Sequence, residues 1–188
     1  ERFTLLKPLG SGAFGLVMKV LDTNDYRALK LIPFDASDSE PDFSELKVVS
    51  QVTSLKSEIP TLCDARDFGV ITDRELCHHI SKTEFDKLYC APTYDEITGF
   101  MFYVMPIYTP LDYDTLTLKQ QDSVNEQIKT TIKQLSAHGI VEYDMVSISE
   151  DPQVAYRNIM FQDETRQTIV VIDLDMFQVE ADQNPSVL

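Results

Sequence analysis

Positive charge is scarce in this chain. Sixteen Lys and Arg stand against 31 Asp and Glu in 188 residues, for a formal net charge of −15. A surface this acidic repels phosphate backbones and anionic lipid, which disfavours broad nucleic-acid or membrane-surface binding. It also repels free nucleotides at long range, so any nucleotide site needs local positive charge or a divalent cation. Cysteine is scarce too, and its three residues are an odd number that makes no disulfide framework. A reducing, cytoplasmic setting is the expectation. No run of about 18 apolar residues is present, so no transmembrane helix is expected, and no charged n-region with an apolar h-region opens the chain. It opens on Glu1 rather than Met, as a processed or trimmed chain would. The sequon N-x-S/T is missing, since Asn184 is followed by Pro185. Glycine is limited to six residues, which gives weight to any place where glycines gather.

The length suits one domain or at most two small ones, and a core that needs no metal or disulfide to fold. Residues 3–33 read as three strands: Phe3–Leu9, Phe14–Leu21 and Tyr26–Ile32, with a turn cluster at Asp22–Asp25. After the acidic loop Asp35–Asp42 the period becomes helical, with Phe43, Leu46, Val49 (or Val48) and Val52 on one face and Asp42 or Ser44 as cap. Residues 58–100 are mixed, and Tyr94–Gly99 reads as a turn. Phe100–Met105 is a continuous apolar strand ended by Pro106. Thr117–Ala137 is a long amphipathic helix with Val124, Ile128, Ile132 and Leu135 as its stripe and Gly139 at its stop. Ile159–Phe161 and Thr168–Ile172 are the last strands. Strands, helix, strands, helix, strands is an α+β order rather than an alternating parallel one.

Three of the six glycines fall in Gly10-Ser11-Gly12-Ala13-Phe14-Gly15-Leu16-Val17, a match to G-x-G-x-x-G-x-V. The dinucleotide version of such a loop joins a strand to a helix, whereas Leu16 onward reads as a strand. A hairpin loop follows, of the kind that lets backbone N–H groups approach phosphate oxygens without a Cβ clash. Lys30 stands 13 residues after Val17, inside the apolar run Ala28-Leu29-Lys30. An ammonium in mid-strand is costly unless it has a partner. Fifteen residues further, Glu45 lies on the predicted helix. The expectation is a Lys30–Glu45 ion pair that aims the lysine at phosphates; a lysine reaching out to solvent and a solvated glutamate are the plain alternative.

On these residues the sequence resembles the protein-kinase family, whose glycine loop, A-L-K strand and helix glutamate occur in this order. The resemblance implies a bilobal fold: an antiparallel N-lobe sheet with one helix over residues 1–105, then a hinge and an abbreviated, mainly helical C-lobe over 106–188. It implies ATP held between two lobes. Gly10, Gly12, Phe14, Gly15, Val17, Ala28 and Lys30 would face the nucleotide, and Met105 and Ile107, flanking Pro106, would supply hinge contacts to adenine. Asp67-Phe68-Gly69 spells the family's metal triplet, but it lies only 22 residues after Glu45, ahead of the hinge and after polar Asp64-Ala65-Arg66. It is expected to begin a fourth strand instead. The fitting counterpart is Val170-Val171-Ile172-Asp173-Leu174-Asp175, in which a buried strand ends in a carboxylate for Mg²⁺.

Ala137-His138-Gly139-Ile140-Val141-Glu142-Tyr143-Asp144 is similar to the family's catalytic loop, with Glu142 and Tyr143 in place of His and Arg. Asp144 keeps the position of the base that accepts the substrate's hydroxyl proton. The lost arginine makes control by a phosphorylated activation loop unexpected. The family's metal-binding Asn would fall on Ser149; the better counterpart is Asn158, in Arg157-Asn158-Ile159-Met160-Phe161, with nine residues looped out. Only the 13 residues to Leu188 follow Asp175, which leaves no room for the activation segment, the A-P-E anchor or the helices that hold peptide substrate. The resemblance therefore implies a minimal protein kinase, similar to compact bacterial effector kinases, that uses ATP and Mg²⁺ on a protein hydroxyl, Ser or Thr before Tyr. Its partner would be a protein, with a basic one suited to the acidic surface. Whether such a chain is delivered into a host cell stays open. The alternatives are a pseudokinase acting as a protein-binding or inhibitory module, which Glu142, Tyr143 and Asp175 favour, and a small-molecule phosphotransferase of the aminoglycoside-kinase type, which the glycine loop disfavours. Cys63, Cys77, His78, His79 and Cys90 form no C-x₂-C pair and read as buried cysteines and surface histidines rather than a zinc site.

Overall fold

The computed structural model describes residues 3–12, 15–36, 43–72, 76, 80, 82–88, 92–141 and 156–179. The chain divides into two compact units, Glu1–Lys47 with Asp64–Ile107, and Val48–Cys63 with Tyr108–Leu188. The fold class is α+β.

The first unit is built on an antiparallel sheet. Its strands are β1 (Phe3–Ser11), β2 (Leu16–Asp22), β3 (Asp25–Phe34), β4 (Arg66–Ile71) and β5 (Gly99–Met105), in the order β1-β2-β3-β5-β4. In β2 the side chains of Leu16, Met18 and Val20 are buried while Val17 and Lys19 are half-buried, the alternation of a strand with unequal faces. β3 is buried from Ala28 through Pro33, as suits the central strand of the sheet. Its hairpin with β2 closes over Thr23 and Asn24, with Thr23 at a left-handed φ of 58°. On one face of the sheet Leu16, Met18, Leu31, Phe100 and Val104 form a core with Ile80, Phe85, Leu88 and Ile97 from the chain between β4 and β5. The short helix α2, Lys82–Phe85, brings Phe85 into it, edge-on to Tyr94 with ring centroids 5.2 Å apart. Asp67-Phe68-Gly69 lies within β4, at a bulge where Asp67 takes a φ of 49°. The edge strands expose apolar side chains, Leu6 and Leu9 on β1 and Phe68 and Val70 on β4.

Helix α1 spans Ser44–Ser54 and buries Val49 and Val52. The Phe43 carbonyl accepts from the N–H groups of Leu46 and Lys47. Ser44, expected as a cap, is instead the first residue of the helix, and Asp42, the other expected cap, lies outside the described residues.

In the second unit the long helix α3 runs Leu118–Ala137 after the strand β6, Thr109–Pro110. It opens on a reciprocal capping box: the Gln120 N–H donates to the Thr117 hydroxyl, and the Thr117 N–H donates to the Gln120 amide oxygen. It stops at Gly139, whose φ of 67° turns the chain as an L side chain rarely can. The buried stripe is Val124, Ile128, Thr131 and Leu135. Ile132, expected in that stripe, is half-buried, and Thr131 takes its place. The hydroxyl is tolerated there because it donates to the Gln127 carbonyl at 2.8 Å and shares a 2.6 Å hydrogen bond with the Thr61 hydroxyl. β6 pairs with β8 (Ile159–Phe161), which pairs with β9 (Ile169–Val171), all antiparallel. A second small sheet joins β7 (Ile140–Val141) to β10 (Gln178–Val179). Helix α3 packs on β7 and β9. Among the described residues no helix is long and apolar enough to cross a membrane.

Candidate functional site

Each unit carries one group of the expected residues. In the first, Ser11 and Leu16 are the last pair of the β1–β2 hairpin, and the Gly12 N–H donates to the Gly15 carbonyl at 2.9 Å inside the loop. The glycine loop thus leads into a strand. Its glycines serve two purposes. A Cβ on Gly15 would stand 2.6 Å from the Leu31 carbonyl oxygen, so Gly15 is required by the fold. Gly10 and Gly12 have nothing within 4 Å of such an atom; their missing side chains leave open space. Phe14 lies outside the described residues.

Val17 pairs with Lys30 across β2–β3, and Lys30 with Tyr103 across β3–β5. Ala28, two residues from Lys30, pairs with Met105. Val17, Ala28, Lys30, Tyr103 and Met105 therefore share one face of the sheet, opposite the Leu16–Leu31–Val104 core. Lys30 is only 4% exposed, which excludes a lysine reaching into solvent, and its Nζ lies 5.9 Å from the centroid of the Tyr103 ring. Glu45 sits in the first turn of α1, half-buried, with its Oε2 shut away from water, so it is no solvated face residue. Ile107 is 41% exposed and ends the first unit.

A cavity of about 100 Å³ is lined by Asp22, Arg27, Asp64, Arg66, Asp67, Val104, Met105 and Pro106. Arg27, three residues from Lys30 along β3, points from the opposite face. The arginines are engaged, Arg27 with Asp25 at 3.1 Å and Arg66 with Asp64 through two N–H groups. No sequence pattern announces this cavity, because its lining comes from the ends of four strands.

In the second unit the β8–β9 ladder pairs Ile159 with Val171, and just beyond it the Ile172 N–H donates to the Asn158 carbonyl at 2.8 Å. That bond sets Asn158 at the same end of the hairpin as Asp173. Asn158 is 8% exposed. Asp173 is half-buried and holds φ 60°, ψ 50°, the left-handed region, where a non-glycine residue costs about 1–2 kcal/mol. Strain of this kind persists where the surrounding structure over-determines it, and it concentrates at functional positions. Asp175 lies in the 3₁₀ turn Leu174–Met176. Asp144 lies outside the described residues, as do Glu142, Tyr143 and Ser149.

The hairpin is also gripped from α3 by residues that sequence reasoning passed over. Tyr156 stacks on Tyr113, with ring centroids 4.0 Å apart and planes 13° from parallel. The Tyr156 hydroxyl donates to Asn125 Oδ1 at 2.8 Å, and Asn125 Nδ2 donates to the Tyr113 hydroxyl at 3.0 Å. Burial, then the Tyr113 hydroxyl, pushes the Tyr156 phenol up, so it stays a proton donor at neutral pH. Gln127 donates to the Gln167 carbonyl at 3.0 Å and accepts from the Ile169 N–H at 3.1 Å. In the sequence Asn125 and Gln127 are polar positions on an amphipathic helix, indistinguishable from its solvated side.

Among the described residues no three of His, Cys, Asp and Glu converge as a metal cluster. Cys63 is buried, with the Tyr108 hydroxyl 3.8 Å from its sulfur; Cys77, His78, His79 and Cys90 lie outside the described residues. No protein-family model matches the chain, and no curated protein is significantly similar to it.

Proposed function

We propose that the chain is a minimal protein kinase, an ATP- and Mg²⁺-dependent phosphotransferase of kinase-like bilobal fold acting on a protein hydroxyl, Ser or Thr before Tyr. One observation carries the reading: a lysine buried in mid-strand, Lys30, paired in register with Val17 of the strand that leaves a glycine hairpin whose Gly10 and Gly12 face open space. Burying an ammonium is costly without an anionic or aromatic partner. In this reading Lys30, aimed by Glu45, meets the phosphates, Gly10, Gly12 and Gly15 cover them, and Val17, Ala28, Met105 and Ile107 bound the base. Phe14 belongs to the same covering loop.

Asp173 and Asn158 fit a hard divalent cation, since both offer oxygen donors and stand at one end of one hairpin. The cation would add to the charge neutralisation that Lys30 gives the phosphates. Asp144 would accept the acceptor hydroxyl's proton. The reading is tested with radiolabelled ATP and Mg²⁺ on lysate protein, comparing the native chain with Lys30→Ala and Asp173→Ala. Label that falls at least about 100-fold in each variant supports it. Label no higher than in Asp173→Ala overturns it, and a nucleotide-induced thermal shift that survives in that case would mark a pseudokinase.

A further inference from the structure

We propose that α3 sets the spacing of Asn158 and Asp173, with Tyr156, Gln127 and Thr131 as positioning residues for a divalent cation; this rests on the phosphotransferase reading above. The need arises from the hairpin's size. β8 and β9 are three residues each, and β6, which pairs with β8, has only two, so few ladder bonds hold the sheet. Asn158 precedes β8 and Asp173 follows β9, so both lie past the last ladder pair, Ile159–Val171. Mg²⁺ asks for near-octahedral oxygen ligands at about 2.0–2.1 Å, and such a site has to be held to about 0.5 Å. The ladder alone does not give that precision.

Three attachments to one rigid helix supply it. Asn125 holds the Tyr156 hydroxyl, two residues before Asn158. Gln127 holds the Ile169 N–H, where β9 begins. Thr131 holds Thr61, whose carbonyl accepts from the Val171 N–H at 2.7 Å, two residues before Asp173. Asn125 and Gln127 flank the buried stripe Val124–Ile128–Thr131–Leu135 on opposite sides, so the helix grips both strands of the hairpin at its open end and β9 at its turn-side start. Thr131 is 0% exposed inside an apolar stripe. A core position has no use for a hydroxyl in itself; this one serves to fix Thr61.

The test reads metal affinity directly, as Mn²⁺ titrated against the full chain with a non-hydrolysable ATP analogue and followed by electron paramagnetic resonance. Tyr156→Phe, Gln127→Leu and Thr131→Val are each expected to weaken Mn²⁺ by up to about tenfold, the lower end of what losing a direct partner of a metal ligand costs. Thr131→Ser is expected to restore it, and the thermal shift given by the analogue without metal to stay unchanged. Native affinity in all three variants, in a chain whose Mn²⁺ binding is lost in Asp173→Ala, overturns the positioning role alone. No Mn²⁺ binding that depends on Asp173 overturns both this proposal and the reading beneath it. Tyr156→Phe removes one oxygen and keeps the ring stack, so the outcome can be read even where Thr131→Val does not fold.

Discussion

At the residue scale, identical residue types do different work, and the geometry separates them. Gly15 and Gly12 belong to one loop, yet a methyl on Gly15 meets the Leu31 carbonyl at 2.6 Å while one on Gly12 meets nothing. Gly15→Ala is expected to cost about 1–3 kcal/mol through forced backbone shifts, read as a drop of about 2–4 °C in thermal midpoint per kcal/mol. Gly12→Ala is expected to leave the midpoint within about 1 °C, since an exposed substitution without clash is near neutral, while reducing the thermal shift produced by ATP with Mg²⁺. Equal destabilisation in the two variants would refute this division. Lys30 and Lys19 differ in the same way. Lys19 reaches over the exposed Tyr26 ring at 4.0 Å, whereas Lys30 is enclosed. Asp173 and Asp67 both take left-handed backbone, but Asp67 does so at an edge-strand bulge and Asp173 beside a buried asparagine.

At the element scale, the turn that joins β8 to β9 is held by Asp163, whose Oδ1 accepts from the Thr165 hydroxyl and, at 2.8 Å, from the Thr165 N–H. These bonds, the hydroxyl's first, hold its carboxyl below the ordinary 3.8. A depressed carboxylate pKa contributes stability that is complete above the unfolded value and disappears as pH falls through the folded one. The native chain should therefore lose midpoint below about pH 4 relative to Asp163→Asn, which keeps an acceptor oxygen without the charge; parallel curves from pH 2.5 to 6 would contradict this. The same elements show what a sequence can disclose. β2, β3, β5 and α3 are long enough for period 2 or 3.6 to emerge, and Asp22–Asp25 and Gly139 punctuate them, so their expected bounds fall within two residues of the observed ones. β6, β7 and β10 have two residues each and no period to read. Thr131 was missed because Ile132 offers the more apolar neighbour, and the partners that make the threonine a core residue include the Thr61 hydroxyl, 70 residues away. Of the candidate site, Lys30, Glu45 and the strand leading to Asp173 are legible from residue type in apolar context. The left-handed turn at Asp173 and the grip of α3 depend on tertiary contacts and leave no local trace.

At the scale of the whole molecule, the charge of −15 is a term in stability as well as in recognition. Like charges spread over a small surface repel in the compact state more than in the unfolded chain. Screening shortens from about 30 Å at 0.01 M salt to about 8 Å at 0.15 M, so the thermal midpoint is expected to rise between these conditions, by about 2–4 °C for each kcal/mol relieved. A midpoint that falls or stays level, followed by scanning calorimetry, would show that the acidic residues are already locally compensated. A basic protein partner would do what salt does, and its association rate should fall as salt rises.

The division of the chain has a consequence for how it can be cut. Each unit is made of two stretches, so the backbone passes from one to the other after residues 47, 63 and 107. Val171 draws both of its ladder bonds on one side from Thr61 and Cys63, residues synthesised more than a hundred positions earlier. A fragment beginning at Tyr108 would carry α3 and the β8–β9 hairpin but leave that edge of β9 open to water or to another chain. Neither unit is therefore a cassette to be lifted out at a single boundary, and the shorter path to a stable piece is to remove nothing.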